Sequence, residues 1–144
     1  MYCFGVIEPP EVPWETLRAR AREATTKSYA PYSHVRVGAA GLTSGGLVVE
    51  GSNVENASYG LTLCAECSLV GDLVRQGGGQ LVALSVVAGD GEPLTPCGRC
   101  RQVLMEHGGV ALLIDAGSDT TPVRLGELLP HAFGPSDLGT RSTS

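Results

Sequence analysis

The first periodic pattern in the chain is a helical one of apolar and small residues at residues 14–28. They recur at three- and four-residue steps after Pro13, which suits the first position of a helix, and the pattern stops before Ala30-Pro31. Proline disfavours helical geometry in the residue before it, so the sequence predicts that a first helix ends before this point. The residues that mark its apolar face are Trp14, Leu17, Ala21, Ala24 and Ser28.

Two runs that favour strands follow this helix, at residues 35–42 and 47–53. The connection between them, Thr43-Ser44-Gly45-Gly46, is short and contains the glycines that tight hairpins require. The sequence therefore predicts an antiparallel hairpin.

The middle of the chain alternates between helix and strand signals. Residues 63–75 predict a second helix that ends at the glycines 77–79, and residues 81–88 form a nearly continuous apolar run, typical of a buried strand. Pro96 then introduces a predicted third helix over residues 98–106. Helices that alternate with strands indicate a layered α/β fold, and the hairpin makes its sheet mixed rather than purely parallel.

The C-terminal part carries weaker signals. We predict a short strand at residues 110–114, a turn at 119–122, at most one helical turn at 125–129, and a frayed polar tail from about Gly134. The length of 144 residues suits one domain over residues 1–144, large enough to bury a core of its own.

Charge and composition narrow the possible partners. The chain has 10 basic and 15 acidic residues, a net charge of −5, which disfavours a nucleic-acid partner. No stretch approaches the 18 or so uninterrupted apolar residues of a membrane span, and the N-terminus lacks a secretion pattern, so we expect a cytoplasmic protein without a membrane partner. Cysteines in such a compartment are expected as metal ligands or free thiols, and Cys3 as a bystander.

Four cysteines form two Cys-x-x-Cys pairs, Cys64 with Cys67 and Cys97 with Cys100. Thiolates select zinc, and spacing alone leaves open a structural site with four cysteine ligands. However, the 29 residues between the pairs, 68–96, exceed the roughly 15–20 of compact zinc modules. A chain with its own core also has no need of a zinc staple.

Glu66 lies inside the first pair, where a structural site has no use for a carboxylate. A catalytic zinc uses three protein ligands, leaves its fourth position to water and places an acid nearby for proton transfer. The Cys64-Ala65-Glu66 block with Pro96-Cys97-Gly98-Arg99-Cys100 meets this requirement and has the signature of the zinc deaminases.

These blocks make the sequence similar to the small homo-oligomeric cytidine deaminases that act on free nucleosides. The resemblance extends from about residue 29 to residue 133 and implies a three-layer α/β/α sandwich with a mixed five-stranded sheet. The further matching blocks are Ala30-Pro31-Tyr32-Ser33, Val37-Gly38-Ala39-Ala40, Asn53-Val54-Glu55-Asn56, Arg101-Gln102 and Leu128-Leu129-Pro130-His131-Ala132-Phe133.

The resemblance implies hydrolytic deamination of cytidine and deoxycytidine to uridine and deoxyuridine, a reaction of pyrimidine salvage. By similarity, Cys64, Cys97 and Cys100 hold one Zn²⁺ per chain, and the zinc activates a water molecule. Glu66 would take the proton of that water, deliver it to ring N3 and later protonate the departing amino group.

The substrate contacts also follow from the resemblance. Asn53 and Glu55 match the pair that bonds the ribose hydroxyls, although a capped turn at the end of a strand is the alternative interpretation. Ala65 is expected beside the substrate, whereas Tyr59 and Phe133 match positions that reach a neighbouring subunit's site. The implied assembly is a homotetramer with sites shared between subunits.

Two positions depart from the family pattern. Cys67 follows the catalytic glutamate where most relatives have an arginine that bonds the ligand sulfurs, so we expect a compensating cation, with Arg99 favoured over Arg101. Val35 replaces a phenylalanine that packs near the pyrimidine, which predicts a wider pocket, tolerance of base-modified cytidines and comparable rates on cytidine and deoxycytidine.

Three other functions stay open. An antibiotic-inactivating deaminase of the blasticidin S type shares the second cysteine block and lacks arginine after the glutamate, but Asn53-Val54-Glu55 argues for ribose. A non-catalytic scaffold with four cysteine ligands would lose its metal if Cys67 were replaced. A polynucleotide deaminase is disfavoured by the acidic charge balance and by the few aromatic residues available for stacking bases.

Overall fold

The computed structural model describes residues 11–139, so Cys3 lies outside the described residues. Helices and strands alternate through most of this range, and a single turn of 3₁₀ helix at Tyr59–Leu61 precedes the second helix. In chain order the elements are α1 (Trp14–Thr25), β1 (Val37–Thr43), β2 (Val48–Ser52), α2 (Ala65–Arg75), β3 (Leu81–Ala88), α3 (Gly98–Gly108), β4 (Leu113–Ile114), β5 (Val123–Arg124), α4 (Leu125–Leu128) and α5 (Pro135–Gly139).

The strands form one mixed sheet of five strands in the order β2-β1-β3-β4-β5. β1 pairs antiparallel with both β2 and β3, and its central Ala40 lies opposite Glu50 on one side and Ser85 on the other. β3 and β4 are parallel, and β4 and β5 are antiparallel. The predicted hairpin and the predicted mixed sheet are therefore present.

Helices cover both faces of the sheet and bury two apolar clusters. On one face Leu17 and Ala21 of α1 pack against Ala40 and its neighbours in β3. On the other face the larger cluster joins α2 and α3 to the sheet, with Leu69 and Leu104 among its fully buried residues. This arrangement is the three-layer α/β/α sandwich that the resemblance predicted.

Two glycines allow the helices to approach the sheet closely. A Cβ atom on Gly38 would lie 2.0 Å from the carbonyl oxygen of Ala21 in α1. On the opposite face, a Cβ on Gly51 would lie 2.2 Å from the carbonyl oxygen of Ala65 in α2. Carbon and oxygen atoms do not approach to these distances, so any larger residue at either position must displace the helix.

The first strand starts at Val37, two residues later than predicted. The side chain of Asn53 explains the delay, because its Oδ1 accepts the Val37 N–H at 2.9 Å and its Nδ2 donates to the Val35 carbonyl at 2.8 Å. A side chain thus satisfies backbone groups that a continued strand would have paired.

The C-terminal region differs from the prediction in three further ways. β4, at Leu113–Ile114, covers only the last two residues of the strand predicted at 110–114. β5, at Val123–Arg124, follows the predicted turn and is too short for its sequence to signal a strand. Pro135–Gly139 forms a short helix where the sequence predicted a frayed tail. None of the helices described is long and apolar enough to cross a membrane.

A buried ion pair joins α1 to the end of β4. Arg18 donates through Nε and Nη2 to the two carboxylate oxygens of Asp115, at 2.8 and 2.7 Å. Ser85, fully buried in β3, donates its hydroxyl to the same carboxylate at 2.8 Å. The sequence pattern did not indicate this network, because Arg18 and Asp115 lie 97 positions apart in the chain.

Candidate active site

The cysteines meet where the N-termini of α2 and α3 converge. Cys64 caps the start of α2, Cys97 caps the start of α3, and Cys100 lies in the first turn of α3. The sulfurs of Cys64 and Cys97 are 4.0 Å apart, and all three sulfurs lie within 4.8 Å of one another. The fold thus brings together residues that are 33 or more positions apart in sequence.

This cluster fits a zinc ion. Zinc bonds thiolate sulfur at about 2.3 Å, so tetrahedral geometry places neighbouring sulfurs about 3.8 Å apart, close to the spacing observed. Three protein sulfurs occupy three corners of that tetrahedron, and the fourth corner stays available to a small molecule. Open coordination of this kind is typical of catalytic zinc sites rather than structural ones.

The three thiols differ in how readily they ionise. A hydrogen bond from the backbone N–H of Cys100 lowers the pKa of the Cys97 thiol, as expected at the N-terminus of a helix. Burial raises the pKa of the Cys64 thiol and, still more, that of Cys100, which also lies beside the Glu66 carboxyl. Zinc binding therefore has to displace protons from two thiols that resist ionisation.

Glu66 is the second residue of α2 and is only 5% exposed. Its Oε2 lies 3.5 Å from the sulfur of Cys100, so the carboxyl is in contact with the cysteine cluster. Burial raises the pKa of Glu66 above its ordinary value. The raised pKa makes this carboxyl a better proton acceptor than an exposed glutamate, which suits a general acid–base group.

A cavity of about 210 Å³ opens beside the cluster. Cys64, Cys97 and Glu66 form part of its wall, together with Ala65 and the buried Asn53 side chain. The sequence did not identify the other residues that line the cavity. Their only sequence feature was a position before one of the two cysteine blocks or within a strand. They are Val37, Thr62, Val86, Leu94 and Thr95.

Asn53 holds the wall of this cavity in place. Besides its bonds to the backbone of residues 35 and 37, its Oδ1 accepts a short hydrogen bond from the Ser28 hydroxyl. The residue is 8% exposed. These contacts agree with the alternative interpretation, a side chain that secures the end of a strand, and they leave one amide hydrogen of Nδ2 for a ligand.

Glu55 lies on the same segment, half-buried, outside the residues that line the cavity. Its Oε1 accepts the backbone N–H groups of Tyr32 and Ser33, at 3.0 and 3.2 Å. A hydrogen bond from the Ser33 side chain is the main reason why the pKa of Glu55 is lowered. The Glu55 carboxylate is therefore charged at neutral pH, and these hydrogen bonds hold it in position.

Three of the predicted substrate contacts lie on the surface of this chain. Tyr59, Phe133 and Val35 are 74, 56 and 55% exposed, and none of them lines the cavity. Tyr59 meets the ring of Tyr32 edge to face, with centroids 6.0 Å apart. Within one chain the structure does not bring these side chains to the cysteine cluster.

The predicted compensating cations bond to backbone carbonyls. Arg99 donates to the carbonyl oxygen of Thr62 at 3.1 Å. Arg101 donates to the carbonyl oxygens of Pro96 and Leu128, at 2.8 and 2.9 Å. Both guanidinium groups thus brace the loops around the cluster in the described part of the chain, and neither is seen to donate to a cysteine sulfur.

An open cysteine cluster in contact with a buried carboxyl indicates a catalytic zinc centre. A family model described as the cytidine and deoxycytidylate deaminase zinc-binding region matches residues 14–114, most of the chain. The chain belongs to this family. The predicted family and the predicted zinc cofactor are therefore confirmed.

Individual relatives agree with this assignment. The cytidine deaminase of Mycobacterium tuberculosis is 58% identical over 129 residues, which cover 90% of this chain and 96% of the relative. The cytidine deaminase of Halalkalibacterium halodurans is 40% identical over 127 residues, or 86% of this chain and 96% of the relative.

Crystal structures of relatives share the fold. The cytidine deaminase of Mycobacterium tuberculosis matches 86% of this chain and 99% of its own length, with a TM-score of 0.83 and 58% identity. That of Mycobacterium leprae covers 84% of this chain and 100% of its own, with a TM-score of 0.80 and 50% identity. The predicted fold class is confirmed by these matches.

Proposed function

We propose that this chain catalyses the zinc-dependent hydrolytic deamination of cytidine and deoxycytidine to uridine, or deoxyuridine, and ammonia, a step of pyrimidine salvage. The observation that carries the proposal is the buried carboxyl of Glu66, 3.5 Å from a sulfur of the three-cysteine cluster at the wall of a cavity. At about 210 Å³ the cavity is smaller than the 300–1,000 Å³ of pockets for drug-sized ligands, which favours a small substrate.

Cys64, Cys97 and Cys100 would hold the zinc, which supplies Lewis acidity that makes water a nucleophile near neutral pH. Glu66 accepts the proton of the attacking water and transfers it to ring N3 of the base. It then takes the proton of the hydroxyl that has been added at C4 and gives it to the amino group, so that the C4–N bond breaks, the C4 carbonyl forms and ammonia leaves. The raised pKa and the burial of Glu66 support both transfers, since the carboxyl can hold the proton between them.

Ribose recognition falls to the segment that follows β2. Asn53 retains one amide hydrogen for a hydroxyl group, and Glu55 is a charged acceptor fixed by two backbone N–H groups. Ala65, fully buried at the first position of α2, lines the cavity beside the cluster and would contact the substrate.

The enzyme would act as a homotetramer in the cytoplasm, with neither nucleic acid nor membrane as partner. Tyr59 and Phe133 support the assembly, because both are more than half exposed and occupy the positions at which the resemblance implies contact with a neighbouring subunit. In this arrangement each of them would reach the cavity of a neighbouring subunit.

Tolerance of base-modified cytidines is the finer part of the proposal. The Val35 carbonyl bonds Asn53, whose side chain lines the cavity, so Val35 lies one contact away from the substrate space. A small side chain at this place leaves room for substituents on the base.

The proposal is tested by following the ultraviolet absorbance of cytidine with the wild type, Glu66→Gln and the control Glu23→Gln, an exposed carboxylate on α1. Zinc content is measured in all three. We expect Glu66→Gln to retain about one zinc per chain and to lose at least 10²–10⁴-fold in turnover, whereas the control resembles the wild type. A Glu66→Gln variant that deaminates cytidine normally would refute the role of Glu66, and a zinc-loaded wild type without turnover would refute the substrate.

A further inference from the structure

Cys67 is in contact with one of the three cysteines of the zinc site but is not a fourth ligand. Its sulfur lies 4.0 Å from the sulfur of Cys100, across the gap between α2 and α3. Yet the set of sulfurs that all lie within 4.8 Å of one another comprises only Cys64, Cys97 and Cys100 in the described range. A fourth tetrahedral ligand would be about 3.8 Å from each of the other three. Cys67 is therefore a neighbour of one ligand rather than a ligand.

The ligand that Cys67 contacts lacks the backbone hydrogen bonds that support Cys97. The sulfur of Cys97 receives hydrogen bonds from the backbone N–H groups of Cys100 and Arg99 and is open to solvent. Cys100, in contrast, has no exposed surface, and its sulfur contacts the Glu66 carboxyl at 3.5 Å. Once Cys100 is a thiolate ligand it has no hydrogen to donate, so its contact with Glu66 is a repulsion whenever that carboxyl has given up its proton.

The nearby cations do not relieve this repulsion. Arg99 is bonded to the carbonyl of Thr62, and Arg101 to two other backbone carbonyls. Apart from Glu66, the Cys67 thiol is the group that contacts the Cys100 sulfur among the side-chain hydrogen bonds of the described residues. A Cys100 thiolate bound to a metal can only accept in this bond, so Cys67 is the partner that donates.

We propose that Cys67 is a positioning residue that donates its thiol hydrogen to the Cys100 thiolate, holds that ligand on the zinc and leaves the fourth coordination position open. This role rests on the zinc site described above. It replaces the compensating arginine predicted from the sequence with a neutral donor that is already in place.

The test compares Cys67→Ala and Cys67→Ser with Ser68→Ala, which removes a small polar group from the adjacent position of α2. Zinc affinity is measured by competition with a chromogenic chelator. Removal of an outer hydrogen bond to a metal ligand typically weakens metal affinity about 10–100-fold, and we expect a loss of this size for Cys67→Ala. Cys67→Ser keeps a hydroxyl donor and should retain most of the affinity, while Ser68→Ala should match the wild type.

Two results would overturn the proposal. One is unchanged zinc affinity in Cys67→Ala, and the other is an equal loss in Cys67→Ser and Cys67→Ala, which would indicate that only packing matters. A wild type that binds no zinc would instead overturn the zinc site on which the proposal rests.

Cobalt substitution separates a donor from a ligand. Thiolate-to-cobalt absorption scales with the number of thiolate ligands, so we expect equal intensity in the wild type and in Cys67→Ser. A decrease of about a quarter in Cys67→Ser, as expected when one of four thiolates is lost, would make Cys67 a ligand and contradict its role as a donor.

Discussion

Replacement of Gly51 by alanine should damage the active site through the backbone. The new Cβ would lie 2.2 Å from the carbonyl oxygen of Ala65 and 2.3 Å from the backbone nitrogen of Leu69, both in α2. Relief of these contacts to ordinary van der Waals separation requires α2 to move by roughly 1 Å relative to β2. A shift of that size at a reacting group can cost about 100-fold in rate. Because α2 carries both Glu66 and the cysteine that caps it, we expect kcat/KM for cytidine to fall by about 100-fold.

Gly38→Ala is the matched control for this variant. Its Cβ would lie 2.0 Å from the carbonyl oxygen of Ala21 in α1, on the opposite face of the sheet from the cysteine cluster. Both substitutions overpack the interface between a helix and the sheet and should cost about 1–3 kcal/mol or more in the free energy of unfolding. Only Gly51→Ala should lower the activity of the folded enzyme.

Stability is measured by urea denaturation. Cytidine deamination is measured without urea, at a temperature at which both variants are folded. Zinc content normalises the rates to loaded enzyme. Equal losses of kcat/KM in Gly51→Ala and Gly38→Ala would refute the argument, because both would then act through general stability. Full activity in Gly51→Ala would refute the claim that α2 has to move.

Further predictions concern stability, zinc and substrate size. Arg18→Met leaves the buried Asp115 carboxylate unpaired and should lower the free energy of unfolding at pH 7 by about 3–5 kcal/mol, measured in urea; a loss below about 1 kcal/mol would contradict the importance of the pair. Burial alone would raise the pKa of Asp115, but the hydrogen bonds from Arg18 and its neighbours outweigh burial and lower it, so this stability is present above the ordinary pKa of 3.8 and is lost as the pH falls through the lower, folded-state value. Arg18→Met should show its acid transition at a higher pH in the same titration. Zinc removal by a chelator should abolish turnover and leave the far-ultraviolet circular dichroism nearly unchanged, since neither apolar cluster contains a ligand cysteine. Collapse of the spectrum would favour a structural zinc. Val35→Phe should reduce the rate on N4-methylcytidine relative to cytidine, and an unchanged ratio would contradict the widened pocket.

The parts of the fold with a strong local signal, such as an apolar run or a glycine turn, were predictable from the sequence. The run at residues 81–88 has the bounds of β3, and the glycines after Thr43 lie in the hairpin turn. Where the prediction failed, a side chain took over a backbone role or an element was too short to show a period. Asn53 delays the start of β1, and the two residues of β5 carry no detectable alternation.

The candidate site was likewise predictable only in part. The cysteine blocks could be grouped because each pair lies within one helical turn, so local spacing already implied a shared direction. The walls of the cavity could not be predicted, since Val86 and Leu94 reach it only through the register of β3 and the path of the loop after it. Likewise, the direction of Arg99 depends on the carbonyl of Thr62, which is 37 positions away in sequence.

The two faces of the sheet have different roles, one in the stability of the fold and the other in the chemistry of the site. The face that α1 covers holds the Arg18–Asp115 pair and contributes no ligand or acid to the cysteine cluster among the residues described. The face that α2 and α3 cover carries the three ligand cysteines, and its helix N-termini must stay in fixed positions for the sulfurs to converge. Substitutions under α1 should therefore change the free energy of unfolding with little effect on kcat/KM, whereas substitutions under α2 change both. This asymmetry explains why Gly38 and Gly51, which meet their helices at similar distances, are expected to differ in function.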